Sequence, residues 1–581
     1  MDLDINNVRA LLMDAGETWG GNNNLGHYQV PKGNDAFGNP YPEAIFAGTI
    51  WVSALDQGNN LKIAAQRYTQ GTGDFYTGPL DNSGNISVNT CNLWDQHFRV
   101  YASDIRPCIA AYNIPSNNNH VPDAIISSTD SNMIRWPGKG NPYLAAEGYD
   151  VSGVLAPFFD VNGDGIYDPH DGDYPAIKQV GTLTINAGLG CNQLQTGSTA
   201  SYADEMIFWV MNDIGNTHTA SNGNSLGIQI NALGFAYQSS DEINNMTFYR
   251  YNLINKSGAV LNNTYFSQWT DVDLGCANND RVGCDTSRNL AITYNGYVAS
   301  GNQQNGITCD DGSVCPSSEI GYGCDLPMLG IQILEGAIDT IIDPLTQLPK
   351  KLGMTSFCTF SDGAPSGMED PYTAVGYRNY QTGFWNSGSP FTYGGMGYNG
   401  SVHTNYLFTG DPSIASQWSE CNPQTGPSIA AGDRRFVQTS GPFTFMPCAS
   451  QNFTIAVLFI QPSGGVGSNC PSWSNISAAA DSAISLRDAN FRHFSPFTLA
   501  IDDISSIIGL VYPNPVSDLL YISNSAHKAD DQIFVYDLMG RQVISQNTKT
   551  SSIDMSQLPD GVYLIKASSA GDLSFRVVKR K

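Results

Sequence analysis

Strand-sized apolar runs, broken every few residues by Gly, Asn or Pro, are the feature that most limits what this chain can become. EAIFAGTIWVSALD, EMIFWVMND, IQINALGFAYQ, MTFYRYNLIN and NFTIAVLFIQ each gather β-branched and aromatic residues into a short stretch with turn chemistry on its flanks. No alternation of strand and helix accompanies them, which argues against a doubly wound or barrel α/β fold. One stretch reads as a helix: SNISAAADSAISLRDANFRHF, Ser474–Phe494, with Ala-rich helix formers and a late Arg and His. The expected fold is all-β, with a large multi-sheet, sandwich-like body over residues 1–500 and a smaller antiparallel sandwich after it.

The composition shifts near Ile501. Beyond a linker over 501–506, residues 507–581 carry short strands at regular spacing: DLLYISN, QIFVYDLMG, RQVISQ, GVYLIKAS and LSFRVVKRK. NPVSD has turn chemistry and MGR reads as a hairpin tip. Val562, Tyr563, Leu564 and Ile565 are expected to hold this small sandwich together, leaving the basic end from Arg576 to Lys581 free.

The chain has 581 residues, of which 41% are hydrophobic, so a large core can be buried. Its 53 acidic and 28 basic residues leave a formal charge of −25. Such a surface repels phosphate backbones, so nucleic acid is not an expected partner, whereas hard cations are. No apolar run is long enough for a transmembrane helix. Twelve cysteines occur without a C-x-x-C pair, which speaks against a zinc site and for an oxidising, extracytoplasmic setting. The close pairs Cys91/Cys108, Cys276/Cys284 and Cys309/Cys315 suit local disulfides. The opening MDLDINNVRALLMDAGETWG lacks the basic and apolar regions of a signal peptide. Export would therefore use a signal that has been removed or lies upstream.

DVNGDGIYDPHDGDYP, from Asp160 to Pro175, places oxygen donors at alternate positions and a glycine at the sixth. That is the spacing of a twelve-residue calcium loop. The expected ligands are Asp160, Asn162, Asp164, the Ile166 carbonyl, Asp168 and Asp171, with Asp in place of the usual bidentate Glu at the twelfth position. Pro169 and Pro175 prevent the flanking helices of a calcium sensor, so the expected cofactor is structural calcium in a β scaffold. The alternative is an acidic turn with solvated carboxylates. His170 falls between ligand positions and is expected to be a solvated surface residue. A second acidic run, DVDLGCANNDRVGCD, offers Asp271, Asp273, Asp280 and Asp285 in no standard spacing.

Catalytic signatures are weak. GNSLG, Gly223–Gly227, centres on Ser225 but leads into an alternating strand instead of the helix a nucleophile elbow needs. GMGYNG, Gly395–Gly400, has no helix after it to receive a pyrophosphate. The acid pairs Asp204–Glu205 and Asp241–Glu242 are adjacent residues in strand contexts and would face opposite ways. DFYTGP, NYQTGFW and SPFTYGGMGY could present aromatic faces to a sugar, though aromatics in a β body mostly fill its core.

The tail carries the strongest resemblance. YPNPVSDLLYI, VYDLMGR, LPDGVYLIK and FRVVKRK resemble, in order and over roughly Ile507–Lys581, the type A C-terminal sorting domain of Bacteroidota type IX secretion cargo. The resemblance implies export through the outer membrane by the type IX secretion machinery, followed by release or attachment to lipopolysaccharide. The body, through LDINNVRA, AIFAGTIWVSALD, GDFYTGPLD, the Asp160 loop, EMIFWVMND, DVDLGCANNDRVGCD and GDRRFVQTSGPFTF, is similar to large Bacteroidota surface proteins with this tail. That group implies a location and no reaction. The expectation is an extracellular or outer-membrane-surface protein with a structural or adhesive, non-enzymatic role and a surface glycan or lipopolysaccharide as partner. The rival is a secreted hydrolase acting on polysaccharide or protein.

Overall fold

The computed structural model describes residues 1–178, 201–296, 320–461, 470–492 and 511–580, with shorter interruptions inside these ranges, together with residues 303–304 and 307–308. Two units result, Met1–His493 and Phe494–Lys581. The expected linker over 501–506 lies outside the described residues.

The first unit is built on strands β1 (Glu17–Thr18), β2 (Ala47–Leu55), β3 (Leu61–Ala65), β4 (Tyr76–Thr77) and β5 (Phe98–Tyr101). Next come β6 (Glu205–Asn212), β7 (Ile228–Ala236), β8 (Met246–Asn255), β9 (Leu261–Val272) and β10 (Asp280–Asp285). The last are β11 (Leu290–Asn295), β12 (Met328–Glu335), β13 (Ser356–Phe360), β14 (Arg434–Phe445) and β15 (Ser450–Ile460). Among the described residues they form two antiparallel sheets. A six-stranded sheet runs β13-β14-β9-β2-β1 with β3 also on β2, and a nine-stranded sheet runs β10-β11-β12-β15-β8-β7-β6-β4 with β5 also on β6.

Strand β6 shows why its sequence is apolar throughout instead of alternating. Successive side chains leave a strand on opposite faces. Ile207, Trp209 and Met211 enter a core shared with Trp51 of β2, Trp269 of β9 and Phe436 of β14. Met206, Phe208 and Val210 enter a second core on the other face. The nine-stranded sheet is thus buried on both sides, and a continuous apolar run is what that requires.

Helices supply the second cover. They are α1 (Val88–Leu93), α2 (Ala102–Tyr112), α3 (Asp123–Ser127), α4 (Asn132–Arg135), α5 (Pro142–Ala146) and α7 (Ser474–Asp488), whereas α6 (Ala374–Gln381) places Tyr377 and Tyr380 in the first core. Ile105, Ile126, Met133 and Leu144 from α2 to α5 join Ile476, Ala480, Ala483 and Leu486 of α7 in that second core. The protein is mostly β, as expected, but this layer of short helices was not anticipated. Helix α7 was anticipated, and it ends earlier than Phe494: Asn490 and Phe491 take left-handed backbone angles of φ 56 and 57° just beyond it.

Two of the three expected local cysteine pairs, Cys91/Cys108 and Cys276/Cys284, do not form. Cys91, Cys108, Cys284 and Cys358 are free thiols, the last three buried, and Cys108 and Cys284 donate to the carbonyls of Asp104 and Leu407. Cys421 instead joins Cys470 across 49 residues, and Cys276 and Cys448 are disulfide-bonded as well. Helix α2 and strand β10 hold their cysteines inward, so nearness in sequence does not become nearness of sulfurs. Cys309 and Cys315 lie outside the described residues.

The second unit has strands β16 (Val511–Tyr512), β17 (Leu519–Ile522), β18 (Gln532–Asp537), β19 (Gln542–Asn547), β20 (Ser552–Asp554), β21 (Gly561–Ala567) and β22 (Ser574–Lys579). They pair antiparallel as β16-β17-β20 and β19-β18-β21-β22. Val516, Leu520, Ile533, Val535, Ile553, Met555, Tyr563, Ile565 and Val577 make its core. Tyr563 and Ile565 are therefore core residues as expected, while the side chains of Val562 and Leu564 lie outside the described residues. The basic end is less free than expected. Strand β22 continues through Lys579, which is buried, and the Arg580 N–H donates to the Val516 carbonyl.

Candidate metal centre

The Asp160 loop is closed by strands rather than helices. Phe158–Phe159 pairs antiparallel with Tyr174–Pro175, bringing its two ends together. Within it the acids first organise backbone. Asp160 accepts from Gly163 N at 2.7 Å and Gly165 N at 2.9 Å. Asn162 accepts from Asp164 N at 3.0 Å, and Asp164 from Ile166 N at 2.8 Å. Asp168 accepts from His170 N at 2.9 Å and starts the short turn Pro169–Asp171. Gly163 and Gly165 take φ of 77 and 78°, which favours glycine there.

Three of the expected ligands come together. The Asn162 amide donates to Asp164 at 3.1 Å and reaches Asp171 at 3.5 Å. Burial raises the Asp171 carboxyl, and the Asp168 and Asp164 carboxylates push it further. Ile166, whose carbonyl the spacing calls for, exposes its side chain. This all-oxygen set suits a hard cation.

Sequence spacing overlooked Asp173, two residues past the motif. It is fully buried and accepts from Val161 N at 2.8 Å and Asp168 N at 3.0 Å, so it cross-braces both halves of the loop. Burial pushes its carboxyl up to about 7. His170 also departs from expectation. It is largely enclosed, with Nδ1 at 2.7 Å from the Tyr143 hydroxyl and Nε2 at 3.0 Å from Asp123, because the turn at Pro169 lays its ring against α3 and α5.

The second acidic run divides. Among the described residues, one set of three carboxylates has oxygens mutually within 4.8 Å: Asp271, Asp273 and Asp433. Asp280 instead accepts from Leu274 N, and Asp285 pairs with Arg288 at 2.8 Å. Burial pushes the Asp271 carboxyl up to about 7, against the pull of Arg435. Asp433 reaches this cluster because β14 pairs with β9, setting Arg435 opposite Asp271. No local motif could have announced it.

Ser225, the Gly395–Gly400 stretch and the Asp204–Glu205 pair sit where their contexts suggested. Ser225 lies between an isolated bridge at Asn224 and strand β7. Gly394, Gly395 and Gly397 have positive φ in a turn, with no helix following. Glu205 is buried against Arg99 at 3.0 Å, while Asp204 pairs outward with Arg106 at 3.2 Å. Asp241 and Glu242 are not in a strand as expected but open a short turn, Glu242–Asn245, which Asp241 caps through Ile243 N, while Glu242 accepts from Ser482. Of the aromatic stretches, Phe75, Tyr380, Trp385 and Phe391 are core residues, whereas Phe384 and Tyr393 are exposed.

Residues 510–579 match the family described as the secretion system C-terminal sorting domain. The tail is thus a type IX sorting signal, with the Bacteroidota origin that this domain implies. It implies export to the cell surface or extracellular space and interaction with the type IX machinery. No helix among the described residues is long and apolar enough to cross a membrane. None of the curated proteins matches the chain.

Proposed function

We propose that this exported protein has a structural or adhesive role outside the cell, and that the Asp160 loop holds a structural calcium ion. The single observation that carries the calcium reading is the bracing of the loop. Both its ends are clamped by a strand pair, and the buried carboxylates of Asp160 and Asp173 bind its backbone from inside. A calcium sensor needs two helices that reorient on binding, and this loop is tied to a sheet ladder. Asn162, Asp164, Asp168, Asp171 and the Ile166 carbonyl would hold the ion, with Asp160 both organising the loop and facing it. Adhesion is favoured by the address that the tail supplies, and any glycan or lipopolysaccharide contact would fall to exposed rings such as Phe384 and Tyr393.

Extracellular calcium modules bind at roughly 10⁻⁴–10⁻³ M. Millimolar calcium should therefore raise the melting temperature of the full chain relative to chelator, and Asp164→Ala should shrink that rise. Superimposable melting curves with calcium and with chelator would refute the calcium reading.

A further inference from the structure

We propose that Asp271, Asp273 and Asp433 form a second binding site for a divalent calcium-like cation, where the end of β9 meets the start of β14. One carboxylate oxygen from each lies within 4.8 Å of the other two. Oxygens bound to calcium at about 2.3–2.6 Å can be at most about 5 Å apart, so one ion can touch all three. Proximity of acids alone would not suffice, and the inner member supplies a separate observation. The Asp271 side chain is 3% exposed, and its Oδ2 accepts from the Tyr68 hydroxyl at 2.5 Å and lies 3.4 Å from Arg435 Nε. Its Oδ1 is buried with no hydrogen bond. A buried carboxylate oxygen left in that state is costly unless a ligand completes it.

Charge points the same way. Arg435 is shared, reaching Asp433 at 3.2 Å as well as Asp271. Nearby Asp370 is already matched by Arg67 at 2.6 Å. One guanidinium is thus divided between two carboxylates, whereas a divalent ion would be shared by all three. Asp273 and Asp433 are only half-buried, so a hydrated ion can reach the site from solvent. Every donor is oxygen, which selects a hard cation over zinc or copper.

The test is calcium stoichiometry by equilibrium dialysis on the metal-stripped full chain. With the Asp160 loop also occupied, the wild type should bind two ions, Asp164→Ala one, and Asp164→Ala/Asp433→Asn none. If the loop binds nothing, the wild type and Asp164→Ala should each bind one ion and Asp433→Asn none, so failure of that reading leaves this one standing. Asp273→Asn, which spares the Arg435 ion pairs, should lose the same ion even where Asp433→Asn fails to fold. An unchanged ion count in either variant, once folded, would overturn the proposal.

Discussion

At Glu335 two cations meet one carboxylate. Lys178 donates to it at 2.8 Å, Arg250 reaches its other oxygen, and the Thr454 hydroxyl adds a bond at 2.6 Å. Burial alone would raise this carboxyl, but Arg250 and Lys178 outweigh it and hold it down to about 2. A glutamate in the unfolded chain titrates at about 4.3. The stabilisation is therefore fully present above that value and is lost as pH falls toward the folded one. Glu335→Gln should destabilise the body by roughly 2–3 kcal/mol at neutral pH. Denaturant unfolding at several pH values checks this, and the difference between wild type and variant should narrow below about pH 4. An equal difference at neutral and strongly acidic pH would show that the ion pairs contribute nothing. Single residues were also where the sequence was least informative. Asp173 lies just outside a motif, and Asp433 is 162 residues from Asp271 in the chain. Each gains its role only through a loop closure or a strand pair.

Strand β6 contributes side chains to both cores of the body. Phe208 and Trp209 are neighbours, both essentially inaccessible, yet they belong to different cores. Phe208→Ala and Trp209→Ala should each cost about 3–5 kcal/mol. Tolerance of either in a denaturant melt would mean that one face of the sheet is not a packed core. The strands were legible because β-branched and aromatic runs bounded by turn residues need no tertiary partner to be recognised. The helical layer was not, since α3, α4 and α5 span only 5, 4 and 5 residues, too few turns to show a periodic stripe. Helix α7 was legible because its 15 residues carry Ile476, Ala479, Ala480, Ala483 and Leu486 on one face. The cysteines misled for the opposite reason: spacing is visible in sequence, but the inward direction set by α2 and β10 is not.

At the scale of the whole molecule, the body and the tail each close their own core, and no residue is common to both sets. The tail was legible because its short motifs keep their order over a small domain. The body's role was not, because its loops and exposed rings acquire meaning only from what they touch outside the cell. The body is expected to fold without the tail, and the sorting domain to carry it across the outer membrane. Deleting Ile507–Lys581 from a chain expressed behind a signal peptide, in a host with type IX machinery, tests this most directly. Fractionation with protease accessibility should find the full chain at the surface or in the medium, and the truncated body folded but retained in the periplasm. A truncated body that reaches the surface as efficiently as the full chain would contradict the account.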